Sequence, residues 1–136
     1  MARKFAENLE PNMSSATIVA LSGDLGSGKT TFVKSFAAAF GIAAEDITSP
    51  TFVIEKRFPI QGSAYWKTLV HVDAYRLESS VEIERLHWAE TVADSSNLIL
   101  VEWPEKIADV LPGDAIDVEF SHIEGGAEGE REISFK

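Results

Sequence analysis

Gly23, Gly26, Gly28, Lys29 and Thr30 stand in the run GDLGSGKT over residues 23–30, which has the spacing G-x-x-x-x-G-K-[ST]. Each residue type has a task toward a chain of phosphates. The small residues let backbone N–H groups close around the oxygens, the lysine neutralises charge, and the threonine hydroxyl binds Mg2+. A glycine-rich turn can match such a pattern by accident, so placement decides. Here the apolar run Ile18-Val19-Ala20-Leu21 precedes it and a helix-like stretch follows. That order aims the positive end of a helix dipole at the phosphates. Nucleotide binding is the expected chemistry.

A phosphate loop alone hydrolyses nothing. Mg2+ needs a further anionic or water-bridging ligand, usually an acid at the end of a neighbouring strand. Two apolar runs end in such acids. Leu98-Ile99-Leu100-Val101 leads into Glu102, and Leu69-Val70-His71-Val72 leads into Asp73. Glu102 follows the more apolar strand and is the first choice to share a metal ion with Thr30. Asp73 is placed to hold a metal-bound water or to polarise the attacking one. His71 lies two residues before Asp73, so on a strand both face the same way. It either tunes Asp73 or satisfies its own hydrogen bonds at the edge of the core. Arg76 either reaches phosphate or makes a structural ion pair. The hydroxyl-rich Thr48-Ser49-Pro50-Thr51-Phe52 is either a loop that senses the γ-phosphate or an ordinary entry into a strand.

Composition narrows the classes. The 136 residues fit one domain, and 45% of them are hydrophobic, enough for a real core. A net charge of −10 argues against an extended nucleic-acid surface on this chain. The absence of cysteine excludes disulfides, thiolate metal sites and cysteine nucleophiles. His71, His87 and His122 have no zinc-like spacing. No stretch has the length of a signal peptide or a membrane span, so a cytoplasmic location is expected.

The elements that must position these residues follow from periodicity. Residues 2–9 read as a short helix and residues 17–22 as a buried strand feeding the phosphate loop. A helix over 29–40 would bury Phe32, Val33, Phe36, Ala37 and Phe40 on one stripe, with Gly41 as its stop. Residues 51–58 and 64–72 read as strands of a hairpin turned at Pro59, Gln61 and Gly62, which makes the sheet mixed. Ser79 and Glu82 fit a capping box opening a helix over residues 80–92, with Val81, Leu86, Ala89 and Val92 facing inward. Residues 97–101 read as a central strand covered on both faces. Pro104 suits the first position of a short helix through Val110. Residues 115–123 and 130–135 read as a second hairpin around the glycine-rich GGAEG.

GDLGSGKT, TSPTF, HVDAYRL and LVEWPE, in that order and spacing, resemble the TsaE (YjeE) family, the small ATPases of bacterial tRNA threonylcarbamoyladenosine biosynthesis. The resemblance covers about residues 17–113. The phosphate-loop motif is generic, whereas SPTF, H-x-D-x-Y-R and E-W-P-E discriminate. It implies an α/β P-loop NTPase fold, one domain over residues 1–136, with a mixed parallel and antiparallel sheet and flanking helices. It implies ATP and Mg2+ as ligands. Nucleotide would be held by Asp24, Leu25, Gly26, Ser27, Gly28, Lys29, Thr30 and Thr31, with Trp103 beside the site. Thr30 and Glu102 would bind the metal. Lys29, Asp73, Glu102 and the switch-like Thr51 would carry the catalysis.

The family also implies partners, TsaD and TsaB, whose complex transfers threonylcarbamoyl to adenosine 37 of tRNA and would be reset by ATP hydrolysis. Any tRNA contact would come through that complex. Two departures stand out. Family members usually have a longer N-terminal segment, which leaves the adenine side of the site open. They tend to have glycine after the leucine where this chain has Leu86-His87. Arg131 aligns only loosely with an arginine near the family's C-terminus. Two other readings fit a phosphate loop: a small-molecule kinase, and a nucleotide-gated binding module with little catalysis. Arg57, Arg76, Arg85 and Arg131 are scattered rather than gathered in a kinase-like lid insert.

Overall fold

The computed structural model describes residues 2–23, 28–43, 47, 55–122 and 131–135. Asp24, Leu25, Gly26 and Ser27 of the phosphate loop and the segment 48–54, with Thr51, lie outside the described residues.

Among the described residues six strands form one sheet: β1 (Thr17–Gly23), β2 (Glu55–Pro59), β3 (Thr68–Asp73), β4 (Asn97–Glu102), β5 (Ile116–His122) and β6 (Arg131–Phe135), in the order β2-β3-β4-β1-β5-β6. The four inner strands run parallel, and β2 and β6 pair antiparallel at the two edges. The mixed sheet and both hairpins are therefore as the sequence predicts, as far as the described residues extend. Inner parallel strands need cover on both faces, which accounts for their unbroken apolar runs. Every residue of β4 is buried.

One face carries α2 (Lys29–Ala38) and, packed on it, α1 (Ala2–Asn8). Phe32, Val33, Phe36, Ala37 and Phe40 are all buried there, so the predicted stripe meets the sheet. Phe32 meets Phe120 edge-on at 5.2 Å between ring centroids, and Phe40 meets Trp66 at 5.8 Å. The helix stops as its glycine dictates. Gly41 has φ 80°, the Gly41 N–H reaches the Ala38 carbonyl, and the Ile42 N–H reaches the Ala37 carbonyl at 3.1 Å. This is the Schellman closure, which needs a left-handed residue that glycine supplies without a steric cost.

The other face is covered by α3 (Val81–Glu84), α4 (Trp88–Ala93) and a 3-10 helix, Pro104–Val110. Ile83, Trp88 and Ile107 pack there against Ile18, Val70, Val72, Ile99 and Val101. Here the sequence reading needs correction. The single helix expected over residues 80–92 is two short helices, broken at His87, which has φ 61° and ψ 41°. The break rotates the second helix, so the buried residues are Ile83, Trp88 and Thr91. Val81 is 51% exposed and Ala89 is exposed, while Leu86 and Val92 are partly buried. The capping box does not form either. The Glu82 carboxylate accepts from the Glu78 N–H at 3.0 Å, and the Ser80 hydroxyl donates to Asp109 at 2.6 Å. The short helix expected from Pro104 to Val110 forms with those bounds, as a 3-10 helix with a non-helical Ile107 inside it.

Candidate phosphate and metal site

Three parallel strands bring their carboxyl ends together. Glu102 is in register with Leu21 of β1 on one side and with Asp73 of β3 on the other. Two backbone hydrogen bonds extend the pairing past the strands, from the Trp103 N–H to the Leu21 carbonyl at 3.3 Å and from the Ala74 N–H to the Glu102 carbonyl at 3.0 Å. The ends of β1, β3 and β4 are thus one fixed platform. Ligands of open α/β sheets collect at such a carboxyl edge.

The lysine sits at this edge. Gly28 occupies the N-cap of α2 with φ 102°, a conformation that disfavours any side chain. It starts the helix directly beyond the loop and places Lys29 in the first turn. Lys29 is only 5% exposed. Its amine donates to the Gly23 carbonyl at 2.7 Å and stands 3.6 Å from the Trp103 ring centroid. A desolvated ammonium needs such acceptors and the negative face of an aromatic ring. Thr30 and Thr31, on the same first turn, are exposed.

Trp103 owes its position to an unusual backbone. Its φ of 60° and ψ of 53° lie in the left-handed region, costing about 1–2 kcal/mol in a residue with a Cβ. The turn redirects the chain from β4 into Pro104. It also leaves the indole against Lys29 on one side and Tyr75 on the other, with the Tyr75 ring at 5.0 Å. Tyr75 was not among the expected site residues. It is the tyrosine of the H-x-D-x-Y-R motif, but the motif does not name the ring it meets, which follows the neighbouring strand β4. Arg76 is exposed.

Each carboxylate has an orienting contact among the described residues. Asp73 Oδ1 accepts the Tyr75 N–H at 3.0 Å. Glu102 Oε2 meets His71 Nε2 at 2.7 Å, with both residues buried, Glu102 at 7% and His71 at 8% exposure. Two roles are open to His71 from sequence, tuning Asp73 on its own strand or satisfying its hydrogen bonds at the edge of the core, and the structure shows a buried imidazole with its own partner. It faces Glu102 on the neighbouring strand, because His71 and Asp73 share a side of β3 while the imidazole leans across to β4. Only the β3–β4 register, which aligns His71 with Leu100 and Asp73 with Glu102, reveals this.

The donor set suits a hard divalent cation. Glu102 and Asp73 carry carboxylates and Thr30, on the first turn of α2, a hydroxyl, oxygen donors of the kind Mg2+ takes. Among the described residues no group of three or more His, Cys, Asp or Glu forms a closed metal cage. Two clefts of about 520 and 540 Å3 open elsewhere, beside α4. In the first, the Arg57 guanidinium is already engaged by Glu55 at 3.0 Å and Thr91 at 2.7 Å. No helix among the described residues is long and apolar enough to cross a membrane.

The chain is similar to known proteins along most of its length. The family model described as "Threonylcarbamoyl adenosine biosynthesis protein TsaE" matches residues 1–133. A Streptomyces coelicolor tRNA threonylcarbamoyladenosine biosynthesis protein TsaE is 36% identical over 124 residues, covering 90% of this chain and 80% of the relative. The Bacillus subtilis protein of the same name is 36% identical over 118 residues, covering 87% of this chain and 68% of the relative. Among solved structures, Bacillus subtilis YdiB superposes with a TM-score of 0.69 at 30% identity, over 98% of this chain and 74% of that one. The mixed sheet with its flanking helices is that of a P-loop NTPase. The chain belongs to the TsaE family of tRNA threonylcarbamoyladenosine biosynthesis.

Proposed function

We propose that this protein is a Mg2+-dependent ATPase that supports threonylcarbamoylation of adenosine 37 in tRNA by acting on a TsaD–TsaB transferase complex in the cytoplasm. One observation carries the reading. The buried amine of Lys29 stands at the carboxyl edge of β1, held by the Gly23 carbonyl and the Trp103 ring, where the strand ends also bring Glu102 and Asp73 into register.

The residues divide the work as follows. Asp24, Leu25, Gly26, Ser27, Gly28 and Thr31 would line the phosphates, and Lys29 would exchange the Gly23 carbonyl for phosphate oxygens. The Thr30 hydroxyl and the Glu102 carboxylate would hold a divalent ion, which when bound supplies positive charge to the transferring phosphoryl group. Asp73 would orient the attacking water. Thr51 would respond to the γ-phosphate, and Trp103 would pack beside it. Choice of ATP over other nucleotides rests on the family. Intrinsic turnover is expected to be slow, since switch-type NTPases gain much of their rate from a partner.

Phosphate release from ATP, measured with and without Mg2+, tests this. Lys29→Ala should lower the rate by about a hundredfold or more, the scale seen when a single charge-stabilising donor is removed from a transition state. Adding the TsaD–TsaB complex should raise the wild-type rate. A rate indifferent to Lys29→Ala would refute the proposal.

A further inference from the structure

We infer that His71 is a positioning residue for Glu102: its Nε2 fixes one carboxylate oxygen and so presents the other to a divalent ion. The inference rests on the reading of Glu102 as a metal ligand, and it concerns a residue that would touch neither metal nor nucleotide.

A carboxylate that is 7% exposed loses most of its hydration. It needs a hydrogen-bond partner or it is costly to keep there. Among the described residues, His71 is the side chain that hydrogen-bonds Glu102, at 2.7 Å, to Oε2. The backbone around Glu102 is already fixed, by β1 on one side and β3 on the other. What stays adjustable is the side chain, with three rotatable bonds between Cα and the carboxylate. The imidazole removes that freedom. It is itself buried at 8% exposure, and it springs from the middle of β3 rather than from a loop. Outer partners of this kind typically contribute ten- to a hundredfold to metal affinity by orienting the ligand.

Asp73 has a different device. A backbone N–H, that of Tyr75, holds it, so no side-chain substitution removes its contact. The two carboxylates in register are therefore separable by mutation, and His71 acts on one of them.

The test is equilibrium binding of a non-hydrolysable ATP analogue, with and without Mg2+. The readout is the gain in affinity that the metal confers. His71→Leu should cut that gain by about tenfold and leave metal-free affinity unchanged. His71→Gln, whose amide nitrogen falls near the imidazole Nε2, should restore most of it. If the leucine variant does not fold, His71→Asn, too short to reach Glu102, serves the same comparison against Gln. Glu102→Gln should cut the gain at least as far as His71→Leu does. Should Glu102→Gln reduce the gain and His71→Leu leave it intact, the inference is overturned while the metal-ligand reading stands. If Glu102→Gln leaves the gain intact, both fall. A lower melting temperature for His71→Leu and His71→Gln alike, with the metal-dependent gain unchanged, would make His71 merely structural and also overturns the inference.

Discussion

Lys29 and Trp103 show what a single residue can hold in readiness. The amine is buried, with the Gly23 carbonyl at 2.7 Å and the indole at 3.6 Å. Under the proposed function both would give way to phosphate oxygen, which carries a full negative charge and so attracts the ammonium more strongly than a carbonyl or a ring. A simpler residue-scale case lies at the far end of β4, where Asp94 closes α4. Its carboxyl is held below the usual carboxylate range, chiefly by the Ser96 hydroxyl at 2.7 Å and then by the Ser96 N–H at 2.9 Å. A depressed value contributes stability above the unfolded-state pKa, and the contribution fades as pH falls through the folded value. Ser96→Ala should therefore raise the Asp94 pKa in an NMR titration. The melting temperature of the variant should fall below wild type at neutral pH, with the gap narrowing toward acid.

At the scale of elements, the informative place is the junction of α3 and α4. His87 adopts φ 61° there, a region that a residue with a Cβ enters at about 1–2 kcal/mol and glycine enters freely. Its side chain is exposed, and its 3.7 Å approach to Glu90 is a surface contact of little worth. The backbone, in contrast, does useful work: the His87 carbonyl accepts from the Thr91 N–H at 3.0 Å and the Thr91 hydroxyl at 3.1 Å. His87→Gly keeps both bonds and relieves the strain, less the extra entropy glycine loses on folding. The variant should be more stable by about 0.5–1 kcal/mol in urea unfolding, with nucleotide affinity unaltered because α4 lies across the sheet from α2. That same left-handed residue turns Trp88 inward, where its Nε1–H reaches the Val110 carbonyl at 3.1 Å.

The molecule as a whole is a sheet clamped between two unequal layers. The layer of α1 and α2 is aromatic, with Phe36 fully buried at its centre between Phe5 at 6.0 Å and Phe40 at 5.2 Å. Removing a phenyl ring from such a core leaves a cavity that rigid neighbours cannot fill. Phe36→Ala should cost about 3–5 kcal/mol in chemical denaturation. Because α2 also carries Lys29 at its first residue, the loss should weaken nucleotide binding as well. The opposite layer is built of short helices and holds the strand ends from behind. The site is thus a shared product of both layers: one aims the lysine, and the other, through Trp103 and the 3-10 helix, closes the end of β4 over it.

Much of this was already legible in the order of residues. The lysine and threonine of the phosphate loop, the apolar run of residues 97–101, the buried stripe of α2 and the glycine that ends it are all governed by neighbours within a few positions, where spacing and backbone freedom act directly. The same holds for the acids Asp73 and Glu102, which simply terminate apolar strands. What the chain order could not disclose depends on contacts between distant segments. His71 reaches Glu102, 31 positions away, only because two parallel strands fall into one particular register. Tyr75 meets Trp103 for the same reason, and Ala89 turns outward because the left-handed His87 breaks a helix that periodicity alone would continue. Local spacing chose the chemical groups; the alignment of strands chose which of them touch, since side-chain partners across a sheet are fixed by pairing and not by proximity along the chain.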